Sequence, residues 1–239
     1  MIQSVNIVGS GNVAGHLDKA LADKVRCSMI NPRTLEGFDP NADLTIISVS
    51  DDAIAKVAKT IKALGYRGLI AHTSGSVPID ILRSTFDHSG VFYPMQTFSK
   101  DKTLDYSSIP FFIEASDSDS EEVLFLLAKK ISPIVNKADS KQRKSLHIAA
   151  VFACNFVNHL WTLSGDVLAD QGYDFTVLLP LIEETVKKIQ VISPVMAQTG
   201  PASRGDMNVI ESHLDYLSDR PELHKIYQLL SDSILRSRS

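Results

Sequence analysis

Cysteine is scarce in this chain of 239 residues. Cys27 and Cys154 are the only two, too far apart for a metal motif and too few for a disulfide framework. Reduced thiols in a cytoplasmic protein are the expectation that follows. Clusters of basic residues are missing as well. With 24 Lys and Arg against 28 Asp and Glu, the net charge is −4, which argues against nucleic acid as a partner. No uninterrupted apolar run reaches the length of a membrane span, so no membrane is expected either. The apolar start runs straight into a glycine turn and reads as a strand, not a signal peptide. No internal repeat, low-complexity tract or metal-spaced set of His, Cys and Asp occurs, so no metal is expected. What remains is an ordinary globular composition, 44% hydrophobic and 22% charged, long enough for one large domain or two smaller ones.

The most informative stretch that is present runs from Val5 to Leu17. A β-branched run ends in Gly-x-Gly-x-x-Ala, and a helical pattern (Val13, Leu17, Ala20, Leu21) follows at once. Strand, glycine turn and helix in that order are what a dinucleotide needs. Gly9 permits the tight turn, Gly11 lets the backbone approach a pyrophosphate, and Ala14 keeps helix and strand close. Ser10, Asn12 and Val13 then lie where free N–H groups and a partial positive charge meet phosphate oxygens. The second strand is expected at Arg26–Ile30. Beyond it, Asn31 stands where an NAD enzyme usually carries an acid for the ribose hydroxyls, and no acid is there. Arg33 and Thr34 follow, and a guanidinium beside a hydroxyl suits a 2′-phosphate. The cofactor expected is NADP(H) rather than NAD(H).

Leu44–Val49 reads as a buried strand. Ser50-Asp51-Asp52 reads as the N-cap of a helix from Ala53 to Leu64, with Val49 and Ser50 in the loop where a nicotinamide half would pass. Gly68–His72 is another strand, ending in Thr73-Ser74-Gly75-Ser76. These small residues suit close packing against a ring, with Ser74 assigned to cofactor and Ser76 to substrate, or a plain turn. His72 reads as a structural histidine. Gly90–Tyr93 runs into Pro94-Met95-Gln96-Thr97-Phe98, and Gln96 is assigned to substrate. A strand at Pro110–Glu114, a helix at Asp119–Lys130 and a strand at Ile134-Val135 close the series. The alternation predicts an α/β fold: a parallel, doubly wound sheet whose ligand crevice lies beyond the strand carboxyl ends.

From Asp139 onward no further strands are evident, so a dinucleotide-binding domain is expected over 1–137 and an all-helical domain over 138–239. A helix capped by Asp139 or Ser140 runs to about Ala169. Its apolar middle (Ala149 to Cys154) is expected to be buried on all sides, in a bundle or a dimer. At about 100° per residue, Lys144, His147, Val151, Asn155 and Asn158 share one strip of it. That strip reads either as a hydrogen-bonded seam or as a face looking at the nicotinamide ring. Further helices are expected over Phe175–Ile192, with Leu178, Leu179, Ile182, Val186 and Ile189 inward, and over Met207–Leu217 and Pro221–Leu235. Between them, Arg204 either pairs with Asp206 or presents itself to an anionic substrate group.

Taken together, the N-terminal Val-Gly-Ser-Gly-Asn-Val-Ala, the Thr-Ser-Gly-Ser, the Pro-Met-Gln-Thr-Phe, the Lys144–Asn155 stretch and Thr199-Gly-Pro-Ala-Ser-Arg-Gly-Asp206 carry a resemblance. The chain resembles Rossmann-like, short-subunit dehydrogenase-like proteins whose C-terminal half is a helical domain of undetermined function. It is more distantly similar to deazaflavin-dependent NADP oxidoreductases, pyrroline-5-carboxylate reductase and the 6-phosphogluconate dehydrogenase superfamily. The resemblance implies an NADP-binding domain, a helical second domain and a homodimer joined through it. Tyr93-Pro94 stands where that family tends to have His-Pro. The Lys-x-x-x-Asn spacing of β-hydroxyacid dehydrogenases is absent. The expected activity is hydride transfer between NADP(H) and a small carbonyl, alcohol or imine, with Lys144, His147 and Asn155 as candidate catalytic residues. The alternative is a dinucleotide-binding sensor or scaffold without turnover.

Overall fold

Strand β1 (Ser4–Val8) is buried at every position, and so are β3 (Leu44–Ile47) and β4 (Leu69–His72). Continuous burial of this kind belongs to central strands covered on both faces. The computed structural model describes residues 2–100 and 102–237, and in it seven strands form one sheet in the order β2-β1-β3-β4-β5-β6-β7. Here β2 is Arg26–Ile30, β5 is Ser89–Pro94, β6 is Phe111–Ala115 and β7 is Val135–Lys137. Helices α1 (Asn12–Leu21), α2 (Ile54–Ala63), α3 (Asp80–Arg83) and α4 (Ser118–Lys129) flank it. Val5, Ile7, Leu44, Ile46 and Phe92 pack with Leu17 and Leu21 of α1 and Leu124 and Leu127 of α4. Alternate positions Val8, Ile47 and Ile70 pack on the other face with Ile54, Val57 and Ile61 of α2 and Leu82 of α3. The α/β doubly wound fold expected from the sequence is therefore present.

Its strands are not all parallel. β1 to β5 run parallel, but β6 is antiparallel to β5 and β7 runs parallel to β6. Among the described residues of 95–110 there is a single turn of 3₁₀ helix, at Tyr106–Ser108, and no crossover helix. With nothing to carry the chain back along the sheet, β6 enters at the end where β5 leaves. A smaller correction concerns α2: Ser50 makes no side-chain cap, and a short 3₁₀ turn at Asp51–Ala53 leads into the helix.

After β7 the chain enters α5 (Ser140–Ala150), six residues of π-helix at Val151–Phe156, and α6 (Val157–Ala169). Asp139 starts this run with a reciprocal capping box to Gln142. Two compact units result, Met1–Phe156 and Val157–Ser239, so α5 counts with the sheet it docks on. The apolar middle is not buried on all sides within one chain. Phe152 is 64% exposed and Phe156 49%, because only the edge carrying Arg143, Leu146, His147 and Ala150 meets the sheet unit. The whole run Ser140–Ala169 is also long and apolar enough, by length and composition, to cross a membrane, which corrects the expectation that no such run exists.

The second unit continues with a 3₁₀ turn (Phe175–Leu178), α7 (Leu179–Val191), α8 (Pro194–Ala197), α9 (Pro201–Arg204), α10 (Met207–Tyr216) and α11 (Pro221–Arg236). Leu178 and Ile182 are partly covered, but Leu179, Val186 and Ile189 are exposed, so the face expected to turn inward is covered only in part within this unit.

Candidate functional site

The order β2-β1-β3 places a topological switch between β1 and β3, and in open α/β sheets ligands bind outside the strand ends at such a point. A cleft of about 1440 Å³ opens there, walled entirely by residues of the first unit. Ligand pockets usually run to about 300–1,000 Å³, so the space suits a ligand larger than a single small molecule.

Its floor is the turn at Ser10–Val13. A Cβ on Gly9 would collide with the Ser48 carbonyl and press on Ala14, so only glycine lets β1, β3 and α1 come this close. At Gly11 an added Cβ would meet nothing, so the cleft side of the turn is open to a ligand. Gly11 caps α1 without a side-chain hydrogen bond, which leaves the first-turn N–H groups for a ligand oxygen. Ala14 is fully buried beneath them. These residues fit the pyrophosphate of a dinucleotide.

At one end the cleft is walled by Arg33, Thr34, Lys56 and Thr60. Arg33 and Lys56 are exposed and make no ion pair among the described residues, so both cations are free to meet an anion. Asn31 does not line the cleft. Its side chain accepts a hydrogen bond from the Arg33 N–H at 2.9 Å and shapes the turn that presents Arg33. Val49 and Ser50 line the middle.

The other end is built from the loops after β4 and β5 and from α5 with its π-helical continuation. Ser74, Gly75, Tyr93, Gln96, His147 and Asn155 line it. Ser76 and Lys144 do not, and Arg204 belongs to the second unit, where it ends α9 without pairing to Asp206. Ser74 accepts hydrogen bonds at its Oγ from the N–H groups of Ser76 and Val77, at 3.1 and 3.0 Å, and so closes the loop. The Ser74 N–H donates to His72 Nδ1 at 3.1 Å. His72 Nε2 is buried without a partner. Burial, reinforced by the Arg143 charge, pushes the His72 pKa down to about 3, so the ring stays neutral and structural.

Arg143 organises this end. It is fully buried, pairs with Glu114 of β6, and donates through Nε to the Ser74 carbonyl at 3.1 Å and through Nη2 to the Val77 carbonyl. The Ser140 hydroxyl donates to the Glu114 carboxylate, its Oγ lying 3.0 and 2.8 Å from the two oxygens. One side chain thus fixes α5 against both the β4 loop and β6. It holds His147, one turn on, against Tyr93, whose hydroxyl lies 3.1 Å from His147 Nδ1. Above the phosphate turn, Asn12 Nδ2 donates to the Phe98 carbonyl at 2.9 Å, and His16 Nε2 to the Ser99 carbonyl at 2.9 Å. The loop carrying Gln96 is thereby tied to α1.

A family model matches residues 109–234, more than half of the chain. The chain belongs to the DUF2520 family, described as a domain of unknown function. It is similar over 98% of its length to 98% of a Bacteroides fragilis protein named as a candidate NADP oxidoreductase, at 40% identity and a TM-score of 0.89. A Thermotoga maritima protein matches at 21% identity and a TM-score of 0.75, with 98% of each chain covered. Pyrroline carboxylate reductase from Plasmodium falciparum, solved with NADP bound, shares the fold at 11% identity and a TM-score of 0.55, over 99% of this chain and 100% of that one. No curated protein matches the chain. The short-subunit dehydrogenase part of the resemblance finds no counterpart among these matches.

Proposed function

We propose that the protein is an NADP(H)-dependent oxidoreductase acting on a small carbonyl, alcohol or imine. The observation that carries this reading is the uncapped N-terminus of α1, set behind Gly9 and Gly11 and open to a long cleft. The name of the 40%-identical Bacteroides relative supports it. NADP(H), when bound, supplies or accepts the hydride. The chain's own residues do the rest. The turn Gly9–Ala14 binds the pyrophosphate, Arg33 and Thr34 take the 2′-phosphate, and Val49, Ser50 and Ser74 border the nicotinamide half. Gln96 and Asn155 orient the substrate, and His147 exchanges a proton with it. Among the candidate catalytic residues, His147 is favoured over Lys144 for this proton because it lines the cleft.

Two partners belong to the same reading: a small-molecule substrate and a second copy of the chain. Phe152 and Phe156 in the first unit, and Leu181 (64% exposed) and Val191 (85%) in the second, are large apolar side chains that a homodimer would cover. A cytoplasmic location, with both thiols reduced, accords with this reading.

Calorimetric titration tests the cofactor. NADPH is expected to bind at least about tenfold more tightly than NADH, since a charge-assisted contact to the 2′-phosphate contributes about 1.5–3 kcal/mol. Arg33→Ala should remove most of that preference and leave NADH affinity unchanged. Equal affinity for both cofactors in the wild type would overturn the choice, and no binding of either would overturn the function.

A further inference from the structure

We propose that Tyr93 is the positioning residue for His147: its phenol O–H bonds to Nδ1 and makes Nε2–H the hydrogen presented to the substrate. This rests on the oxidoreductase reading above and goes beyond it by assigning the proton to one atom. Tyr93 Oη lies 3.1 Å from His147 Nδ1, and the two rings meet edge to face, with centroids 6.1 Å apart. Both residues line the cleft. Gly75 fits beneath the pair so closely that an added Cβ would come within 2.8 Å of both His147 Nδ1 and the Tyr93 ring. Buried Arg143, one turn before His147, fixes the helix that carries it. Nδ1 is therefore committed to Tyr93, while Nε2 makes no hydrogen bond to any described residue and is left to the cleft.

Chemistry decides which nitrogen bears the proton. A neutral phenol is a better hydrogen-bond donor than acceptor, and an unprotonated imidazole nitrogen is a strong acceptor. Burial raises the Tyr93 hydroxyl above its ordinary value, partly opposed by the Arg143 charge, so it remains a phenol at neutral pH. The O–H thus donates to Nδ1 and the imidazole hydrogen sits on Nε2. Reduction of a C=O or C=N bond by the cofactor, when bound, would leave an electron pair on the heteroatom. The Nε2–H bond then breaks toward that atom and the phenol O–H bond breaks toward Nδ1. The phenolate left behind regains a proton from water. Such an anion is more basic than a phenolate, so the proton runs downhill.

The test is nitrogen NMR of the whole protein with labelled histidine, His147 being assigned through His147→Gln. In the wild type His147 should show the Nε2–H tautomer, and Tyr93→Phe should convert it to a mixture without changing NADPH affinity. The Nε2 resonance should move on adding NADP+ and stay still with adenosine 2′,5′-bisphosphate, which lacks the nicotinamide half. A proton on Nδ1 in the wild type, a tautomer indifferent to Tyr93→Phe, or bound NADP+ that leaves His147 unmoved would each overturn the inference. Failure of both nucleotides to bind would instead remove the oxidoreductase reading on which it rests.

Discussion

At the scale of single residues, the site depends on a place where nothing larger than glycine fits. Gly75 leaves no room for a methyl group. Gly75→Ala should destabilise the protein by about 1–3 kcal/mol through overpacking, read as a lowered urea midpoint. It should also part Tyr93 from His147, which the His147 NMR signals would register. Asp117 illustrates a charge fixed by its neighbours. It caps α4, accepting from the N–H and hydroxyl of Ser120, the hydroxyl of Ser116 and the His88 ring. Burial would raise its carboxyl, but these hydrogen bonds outweigh burial and hold it well below the usual carboxylate range. Its folded pKa is depressed, so its stabilisation is complete above the unfolded value near ~4 and is lost as pH falls below it. Asp117→Ala should cost about 1 kcal/mol at pH 7, the difference shrinking as pH falls further into the acid range. The cause of a cap is local, whereas the crowding at Gly75 comes from Tyr93 and His147 far along the chain, so only the cap is legible in sequence. Arg143 is not. Beside Lys144 it reads as one more solvated charge, and its burial depends on Glu114, 29 residues earlier. Tyr93 stands out in the sequence only as a departure from a His-Pro pattern, and its partner His147 lies 54 residues on.

At the scale of elements, strand positions follow closely from β-branched runs between turn residues, and β2 falls at the residues expected. The direction of β6 does not, because direction is set by the missing crossover helix and not by the strand itself. The polar strip on the long helix fails for another reason. It assumes about 100° per residue throughout, whereas Val151–Phe156 winds as a π-helix with more residues per turn. Ala153, Cys154 and Asn155 of this segment line the cleft, while Lys144 in α5 and Val151 do not. Arg143 is what makes α5 part of the site. Replacing it with Met leaves Glu114 buried without its cation and should cost about 3–5 kcal/mol. Adding Glu114→Gln should recover part of that loss. Equal melting temperatures for the single and double variants would count against the pair as the anchor.

At the scale of the whole molecule, the large exposed apolar side chains of the helical segments set the expected state of association. Sedimentation should give twice the chain mass, and Phe152→Asp should shift the population toward single chains at low concentration. A monomeric wild type would remove the dimer from the reading. The two rims of the sheet bear on what kind of assembly can form. β7 is only three residues long and shows Asn136 and Lys137 to solvent, while β2 carries an exposed Arg26 within reach of Asp39. A stub and a charged border are both poor templates for another chain's backbone. The proposed homodimer would therefore form through side chains on helices, which can saturate at a fixed number of copies, and not by endless strand stacking into fibres.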